Sequence, residues 1–196
     1  MIQSHQRGSL DVGFQNLTVP PGEISLFGMV SGNSEENRAK MWLRTGVTPR
    51  LDVGGGYTRM GNRWTLLFTW HPLSQKEGVP FDVLMGYGFT SSNVREQDGF
   101  YAFAIKSLGK LSMVAGFERL RNGRNIAVLA GSYILSNETG LMFYSHTGSM
   151  PGEPTLYNLA LIRRVGEWQI GLWWFHPSRE STFGLSFTTQ FRATGK

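Results

Sequence analysis

The chain has 196 residues, a net charge of +5, no cysteine, and 17% charged against 40% hydrophobic residues, a length that suits one domain. The missing cysteines exclude thiolate metal sites, and the scattered lysines and arginines lack the basic run that marks a nucleic-acid footprint. No apolar run is long enough for a transmembrane helix, and the first ten residues lack the charged start and apolar stretch of a signal peptide.

Large and small side chains alternate in segments that recur along the whole chain. In Phe81 to Thr90, a face of Phe, Val, Met, Tyr and Phe alternates with Asp, Leu, Gly, Gly and Thr. A period of two is typical of a β-strand, and turn residues such as Gly, Pro and Asn separate the segments. No segment shows a helical period. The sequence predicts about twelve strands: 23–31, 38–47, 50–60, 63–71, 80–90, 99–107, 109–119, 123–135, 138–147, 154–164, 167–175 and 182–192.

This alternation fits two all-β architectures. A soluble β-barrel buries the large apolar face and binds an apolar ligand there, whereas a transmembrane barrel turns that face to lipid. The polar face here is mostly Gly, Thr and Ser, and the strands are about 9–11 residues long, which favours the membrane barrel. Aromatic residues also lie towards strand ends on the apolar face, where a girdle at the membrane interface requires them. These predicted interface aromatics are Tyr57, Trp64, Trp70, Tyr87, Trp168 and Trp174.

The connections between the predicted strands alternate in length. Most of the long ones fall on one side and most of the tight ones on the other, as in bacterial barrels with short periplasmic turns and longer external loops. We therefore predict an antiparallel up-and-down transmembrane β-barrel over residues 23–192, with both chain ends periplasmic. Residues 1–22, which include an alternating stretch from Ser9 to Val19, are predicted to be a periplasmic or luminal segment. Residues 193–196 are a C-terminal tail.

Two stretches resemble a known group of proteins. The last strand, "FGLSFTTQF", carries alternating aromatics up to Phe191 and resembles the C-terminal strand signal of bacterial outer-membrane proteins, although "RATGK" follows it. The stretch "WLRTGVTPRLDVGGGYT" resembles the strand–turn–strand unit of such barrels, including the YjbH-like exopolysaccharide-associated group. The resemblance implies outer-membrane location and insertion by the barrel-assembly machinery. The partners we expect are membrane lipid, anionic lipopolysaccharide and protein partners in an envelope complex, with no nucleic acid.

The three glycines at 54–56 do not form a nucleotide site. A dinucleotide fingerprint starting at Gly54 would need its third glycine at Arg59, and the Lys-Ser/Thr of a phosphate loop is absent. Gly54 and Gly56 are instead predicted to keep the lumen clear, and Gly55 to be a gap on the lipid face.

A hydrolase is the main alternative function. The stretch "YSHTGSMPGE" contains His146 and Ser149, and outer-membrane lipid hydrolases use a Ser–His pair on barrel strands. Their H-x-S-N motif is one residue shorter than the spacing here. His71 and His176, which precede prolines at strand ends, do not form metal-ligand spacing with His146. We predict no metal and no cofactor.

Six ionisable side chains are predicted to face the lumen. Inside a barrel, opposite charges either pair into a network that fills it or line a pore whose selectivity they set. The leading prediction is a non-enzymatic outer-membrane barrel, either a small passive channel or a structural or assembly component of an envelope complex. The predicted luminal residues are Lys40, Arg44, Asp52, Asp82, Lys106 and Glu118.

Overall fold

Twelve antiparallel strands form the wall of the molecule. The structure is a computed structural model that describes residues 18–32, 37–59, 62–91, 98–121, 123–147, 155–176 and 182–192. The first six strands are β1 (Glu23–Gly32), β2 (Asn37–Thr48), β3 (Leu51–Thr58), β4 (Arg63–Leu73), β5 (Asp82–Thr90) and β6 (Gly99–Leu108). The last six are β7 (Leu111–Leu120), β8 (Asn125–Ile134), β9 (Thr139–His146), β10 (Leu156–Val165), β11 (Trp168–His176) and β12 (Thr182–Arg192).

Each strand pairs with its neighbours in sequence, and β12 pairs with β1 to close the barrel. The closing register runs from Glu23 opposite Arg192 to Gly32 opposite Phe183. Closure leaves no strand edge unpaired, which is the condition for a sheet to stand in lipid, where no water can satisfy the backbone. The predicted antiparallel up-and-down barrel of twelve strands is confirmed.

The outer surface of the wall is apolar. Along β4, the exposed Trp64, Leu66, Phe68 and Trp70 alternate with residues that face the lumen. The same arrangement recurs on the other strands, so the large apolar side chains form a continuous outer belt. In a soluble barrel these side chains would point inwards. The alternative of a soluble barrel that binds an apolar ligand is therefore wrong.

A charge placed on this belt is expected to impair folding into a bilayer. Leu66 lies within β4 and is 49% exposed on the outer face. We expect Leu66→Arg to lower the free energy of unfolding in lipid vesicles by about 2–4 kcal/mol, because an arginine at mid-membrane depth loses its hydration. Urea titration in vesicles measures this loss. Thr65→Arg, one residue away on the luminal face, is the matched control, and an equal loss in both variants would contradict the assignment of faces.

The two ends of the barrel differ in their connections. The loop end, as we name it, carries the connections that follow β1, β3, β5, β7, β9 and β11, and the turn end carries the others and both ends of the barrel sequence. At the turn end, the tight turns at 109–110 and 166–167 place Gly109 and Gly166 at positive φ (59° and 62°), which suits glycine.

The connection from β4 to β5 is longer and contains a 3₁₀ turn, Gln75–Glu77. The described residues contain no helix with the length and apolar character of a membrane span. The predicted alternating stretch from Ser9 to Val19 lies outside the described residues except for Thr18 and Val19, which are not in a strand.

Candidate functional site

An ion pair anchors the luminal face at the turn end. Arg44 on β2 reaches Asp52 on β3, with Nε donating to Oδ1 (3.0 Å) and Nη2 to Oδ2 (2.6 Å). The Asp52 side chain is completely buried, and it also accepts a hydrogen bond from the backbone N–H of Val19 (3.3 Å). Both side chains therefore lie in the lumen, and Asp52 holds the segment before β1 against the wall.

The polar contacts continue around the wall. Asp52 lies directly opposite Thr69 of β4 in the register, and the Thr69 hydroxyl is 2.7 Å from the hydroxyl of Tyr101 on β6. The Tyr101 ring crosses Gly86 of β5 to make this contact, because a Cβ at Gly86 would lie 2.2 Å from the phenol oxygen. Hydrogen bonds thus join β2 to β3 through Arg44 and Asp52, and β4 to β6 through Thr69 and Tyr101.

The luminal glycines leave room for larger side chains from neighbouring strands, because they have no Cβ. A Cβ at Gly54 would meet Cγ of Arg44 at 2.7 Å, and one at Gly56 would meet the Trp42 indole at 2.5 Å. The sequence suggested that these two glycines keep the lumen clear, but the space beside them is filled by neighbouring side chains. The glycines let the arginine and the indole lie flat on the wall. Gly55, on the outer face, has only a backbone oxygen at 3.6 Å and is a gap there.

Cations line β2 and β4 towards the loop end. Arg38, Lys40, Trp42 and Arg44 share the luminal face of β2, and Arg63 begins β4 opposite Thr58. Lys40 is exposed although it points into the barrel, so water reaches this part of the lumen. Among the residues described, no carboxylate forms an ion pair with Lys40. The polar luminal side chains of β2–β4, which lie among the luminal Trp42 and Leu67, are what we call the polar wall: Arg38, Lys40, Arg44, Asp52, Thr58, Arg63, Thr65 and Thr69.

The lumen is apolar on the other side. One cluster joins Met29, Ala160, Ile162 and Trp173 with Phe27, Ile134, Met142 and Phe175. A second joins Ile105, Val114 and Ala130 with Leu84, Phe103 and Tyr144. These clusters, together with Ile126 and Val128 on the luminal face of β8, form what we call the apolar wall. The lumen is therefore not uniformly polar, which the sequence analysis did not predict.

Asp82 lies in the lumen at the turn end, at the start of β5. Its carboxylate contacts Nε2 of His71 (3.1 Å) and accepts the backbone N–H of Gln75 (2.9 Å). Both side chains are mostly buried, and the contacts fasten the longer connection between β4 and β5 to the wall. Within the described ranges, no group of three His, Asp or Glu side chains could hold a metal ion.

Glu118 and His146 lie together near the loop end. Glu118 on β7 and His146 on β9 both point into the lumen and are within electrostatic reach of each other. Nδ1 of His146 donates to the carbonyl oxygen of Thr147 (2.9 Å). Ser149, its candidate nucleophile, lies outside the described residues.

The prediction that Lys106 faces the lumen is wrong. Lys106 follows Ile105, which is only 1% exposed on the luminal side, and its cross-strand partner is the exposed Met113. The lysine therefore lies on the outer face near the turn end, where Nζ donates to the backbone oxygen of Pro80. A lysine at this depth can extend its ammonium to the membrane surface.

The six predicted interface aromatics all lie on the outer-face parity of their strands. Near the loop end, the Tyr57 and Trp64 rings pack 4.9 Å apart, and the Tyr57 hydroxyl donates to Oδ1 of Asn62. Their contact with the membrane interface stays a prediction. Trp42 and Trp173 were not predicted as luminal, yet Nε1 of Trp173 donates to Ser186 inside the barrel (2.8 Å). For Trp42 the signal was available, because it shares its parity with Lys40 and Arg44.

Known structures share this architecture, although neither family models nor curated sequences match the chain. The chain is similar to the KdgM porin (9% identity, 84% of this chain and 98% of that one, TM-score 0.70) and to the NanC porin (10%, 87% and 100%, 0.59). It is also similar to the COG4313 outer membrane channel from Pseudomonas putida F1 (12%, 93% and 100%, 0.59). Another match is outer membrane phospholipase A from Escherichia coli (10%, 95% and 95%, 0.50). The resemblance to the YjbH-like group stays a prediction. The chain has the fold of the bacterial outer-membrane β-barrels.

Proposed function

We propose that this chain is a passive, anion-preferring channel of the bacterial outer membrane. The observation that carries the proposal is the position of Lys40, an exposed lysine on the luminal face with no ion-pair partner among the described residues. Arg38 and Arg63 lie near it on the same side of the lumen. Cations that line a pore attract anions and repel cations, and so set its selectivity.

The similar structures support a channel. Three of them are named as porins or channels, and one, the KdgM porin, is in complex with disordered oligogalacturonate, an anionic chain. Sequence identities of 9–12% support a shared fold but not a shared solute. The solute of this chain is therefore inferred from its own luminal residues.

The hydrolase alternative has less support. The phospholipase shares the fold, but His146 here points into the lumen, away from the lipid that surrounds the wall. An ester bond of a membrane lipid would have to enter the lumen to reach it. Release of fatty acid by the protein and its loss in His146→Ala would favour the enzyme over the channel.

Conductance in planar bilayers tests the proposal. In a potassium chloride gradient, we expect the wild-type protein to give a reversal potential on the anion-selective side. Lys40→Glu is expected to lower the anion-to-cation permeability ratio by at least about fivefold, because a unit charge at contact distance in water is worth about 1 kcal/mol for one ion and the substitution reverses the charge. The size of this change should fall at high salt, where charges are screened.

Lys110→Glu is the control for this experiment. Lys110 is exposed in the tight turn after β6, outside the polar wall, and the substitution makes the same change in net charge. Equal shifts in the two variants would show that the selectivity arises from net charge and not from the polar wall. A folded, inserted protein that carries no current would contradict the channel and leave the structural role in an envelope complex.

A further inference from the structure

The lumen is amphipathic across its width. Around the closed barrel, β8 is the sixth strand from β2 in either direction, so the two strands face each other, as do β3 and β9, and β4 and β10. The luminal faces of β2–β4 carry Arg38, Lys40 and Arg63. Those of β8–β10 carry Val128, Met142 and other apolar side chains, with the polar His146, Asn158 and Arg164 on the same faces towards the strand ends.

The apolar wall offers surface to the lumen. Val128 and Ala130 are buried and form its base, while Met142, Tyr144 and Phe175 are half-buried and keep part of their surface open. The ring of Phe175 is parallel to Trp173 within 10° and lies over Gly184, so it is supported along the wall. These half-buried side chains are therefore the part of the apolar wall that a solute inside the barrel would contact.

The charges define one orientation for an anion. The carboxylate of Glu118 projects from β7, next to the apolar wall and within electrostatic reach of His146, so this pair offers an anionic group little attraction on that side. The cations of β2 and β4 attract it to the other side, where Thr58 and Thr65 add hydroxyl groups. A carboxylate is therefore directed to the polar wall, and the rest of the molecule that carries it is directed to the apolar wall.

We infer that the channel favours organic anions with an apolar body, of which an aromatic monocarboxylate is the simplest form, over hydrophilic anions. The inference rests on the proposed channel function and adds the class of solute. An aromatic carboxylate places each of its ends against a matching wall. A sugar acid would instead lay hydroxyl groups against Met142 and Phe175, which offer them no hydrogen-bond partner.

Bi-ionic reversal potentials with sodium benzoate and sodium galacturonate test the inference in the full chain. We expect benzoate to permeate about tenfold better than galacturonate, from apolar contact equivalent to about two methylene groups. Part of any difference reflects the smaller size of benzoate, so the decisive measurement is how the ratio changes in variants of the apolar wall.

Met142→Gln keeps the length of the side chain and makes it polar. We expect it to lower the benzoate-to-galacturonate ratio by about fourfold, the equivalent of one buried methylene group. Phe175→Tyr, which keeps the ring of a half-buried luminal side chain and adds a hydroxyl group, gives a second measurement if the first variant folds poorly. Lys40→Gln is the matched control, because it should lower the permeability of both anions and leave their ratio unchanged.

The outcomes separate the two proposals. A channel that prefers chloride over potassium but keeps the same benzoate-to-galacturonate ratio in Met142→Gln and Phe175→Tyr overturns the solute class and leaves the anion channel intact. A wild-type protein that favours galacturonate has the same consequence. The absence of any current from folded protein overturns both.

Discussion

Asp52→Ala is expected to lower the free energy of unfolding of the barrel by about 3 kcal/mol, because it leaves the Arg44 guanidinium in the lumen without its partner. The value is at the lower end for a broken buried pair because the Arg44 side chain keeps 28% exposure, whereas Asp52 has none. The variant also removes the acceptor for the backbone N–H of Val19. Urea titration in lipid vesicles measures the loss.

Glu77→Ala provides the comparison for Asp52→Ala. Glu77 pairs with Arg50 at the turn end, where both side chains are about half exposed, and such surface pairs contribute about 0–1 kcal/mol. Equal losses in the two variants would contradict the structural importance of the luminal pair. In Asp52→Asn the shape is conserved but the charge is lost, so we expect a loss between those of the two alanine variants.

Gly86→Ala is expected to have a comparable effect through overpacking. The added Cβ would lie 2.2 Å from the Tyr101 phenol and 2.2 Å from the backbone oxygen of Phe68, which cannot move without breaking the sheet. We expect a loss of about 1–3 kcal/mol in the free energy of unfolding, with displacement of the Tyr101 ring into the lumen. The displaced ring should also lower the single-channel conductance.

Gly88→Ala is the matched control for this substitution. Gly88 lies on the same strand and the same face as Gly86, but the nearest atom to its added Cβ is the flexible end of Leu67 at 3.7 Å. We expect its stability and conductance to stay close to those of the wild type. If Gly86→Ala behaves like Gly88→Ala, then the position of the Tyr101 ring does not depend on the absence of a Cβ at Gly86.

A period of two identifies the outer face of a strand only where large and small side chains alternate clearly. In β4, large apolar residues alternate with smaller luminal ones, so the outer face was evident from the sequence. In β6, "GFYAFAIKSL", both faces carry apolar residues, and the charge of Lys106 suggested the wrong face. Its register settles the matter, since Ile105 pairs with Val114 inside the barrel and Lys106 with Met113 outside.

The same ambiguity hid the luminal Trp173 of β11. The run "LWWFH" in β11 has large side chains at every position, and only pairing with β10 and β12 shows that Trp173 points in and Trp174 out. Trp42 could have been placed by its parity with Lys40. The residues that contact Trp42 in the lumen could not be predicted from the sequence, because these contacts join different strands.

The sequence by itself determined the class of the fold and its twelve strands, and it suggested the faces of several charged residues, because each depends on alternation within a strand or on turn residues beside it. The tertiary structure decided the character of the lumen. Tyr101 reaches Thr69 over Gly86, and Met29 joins Trp173 in an apolar cluster, through contacts between different strands. Such contacts depend on strand register and barrel closure, and a local period carries no information about either. For the same reason, the glycines at 54–56 indicated that the barrel wall lacks side chains there. They did not indicate that the side chains of Arg44 and Trp42 lie across that part of the wall.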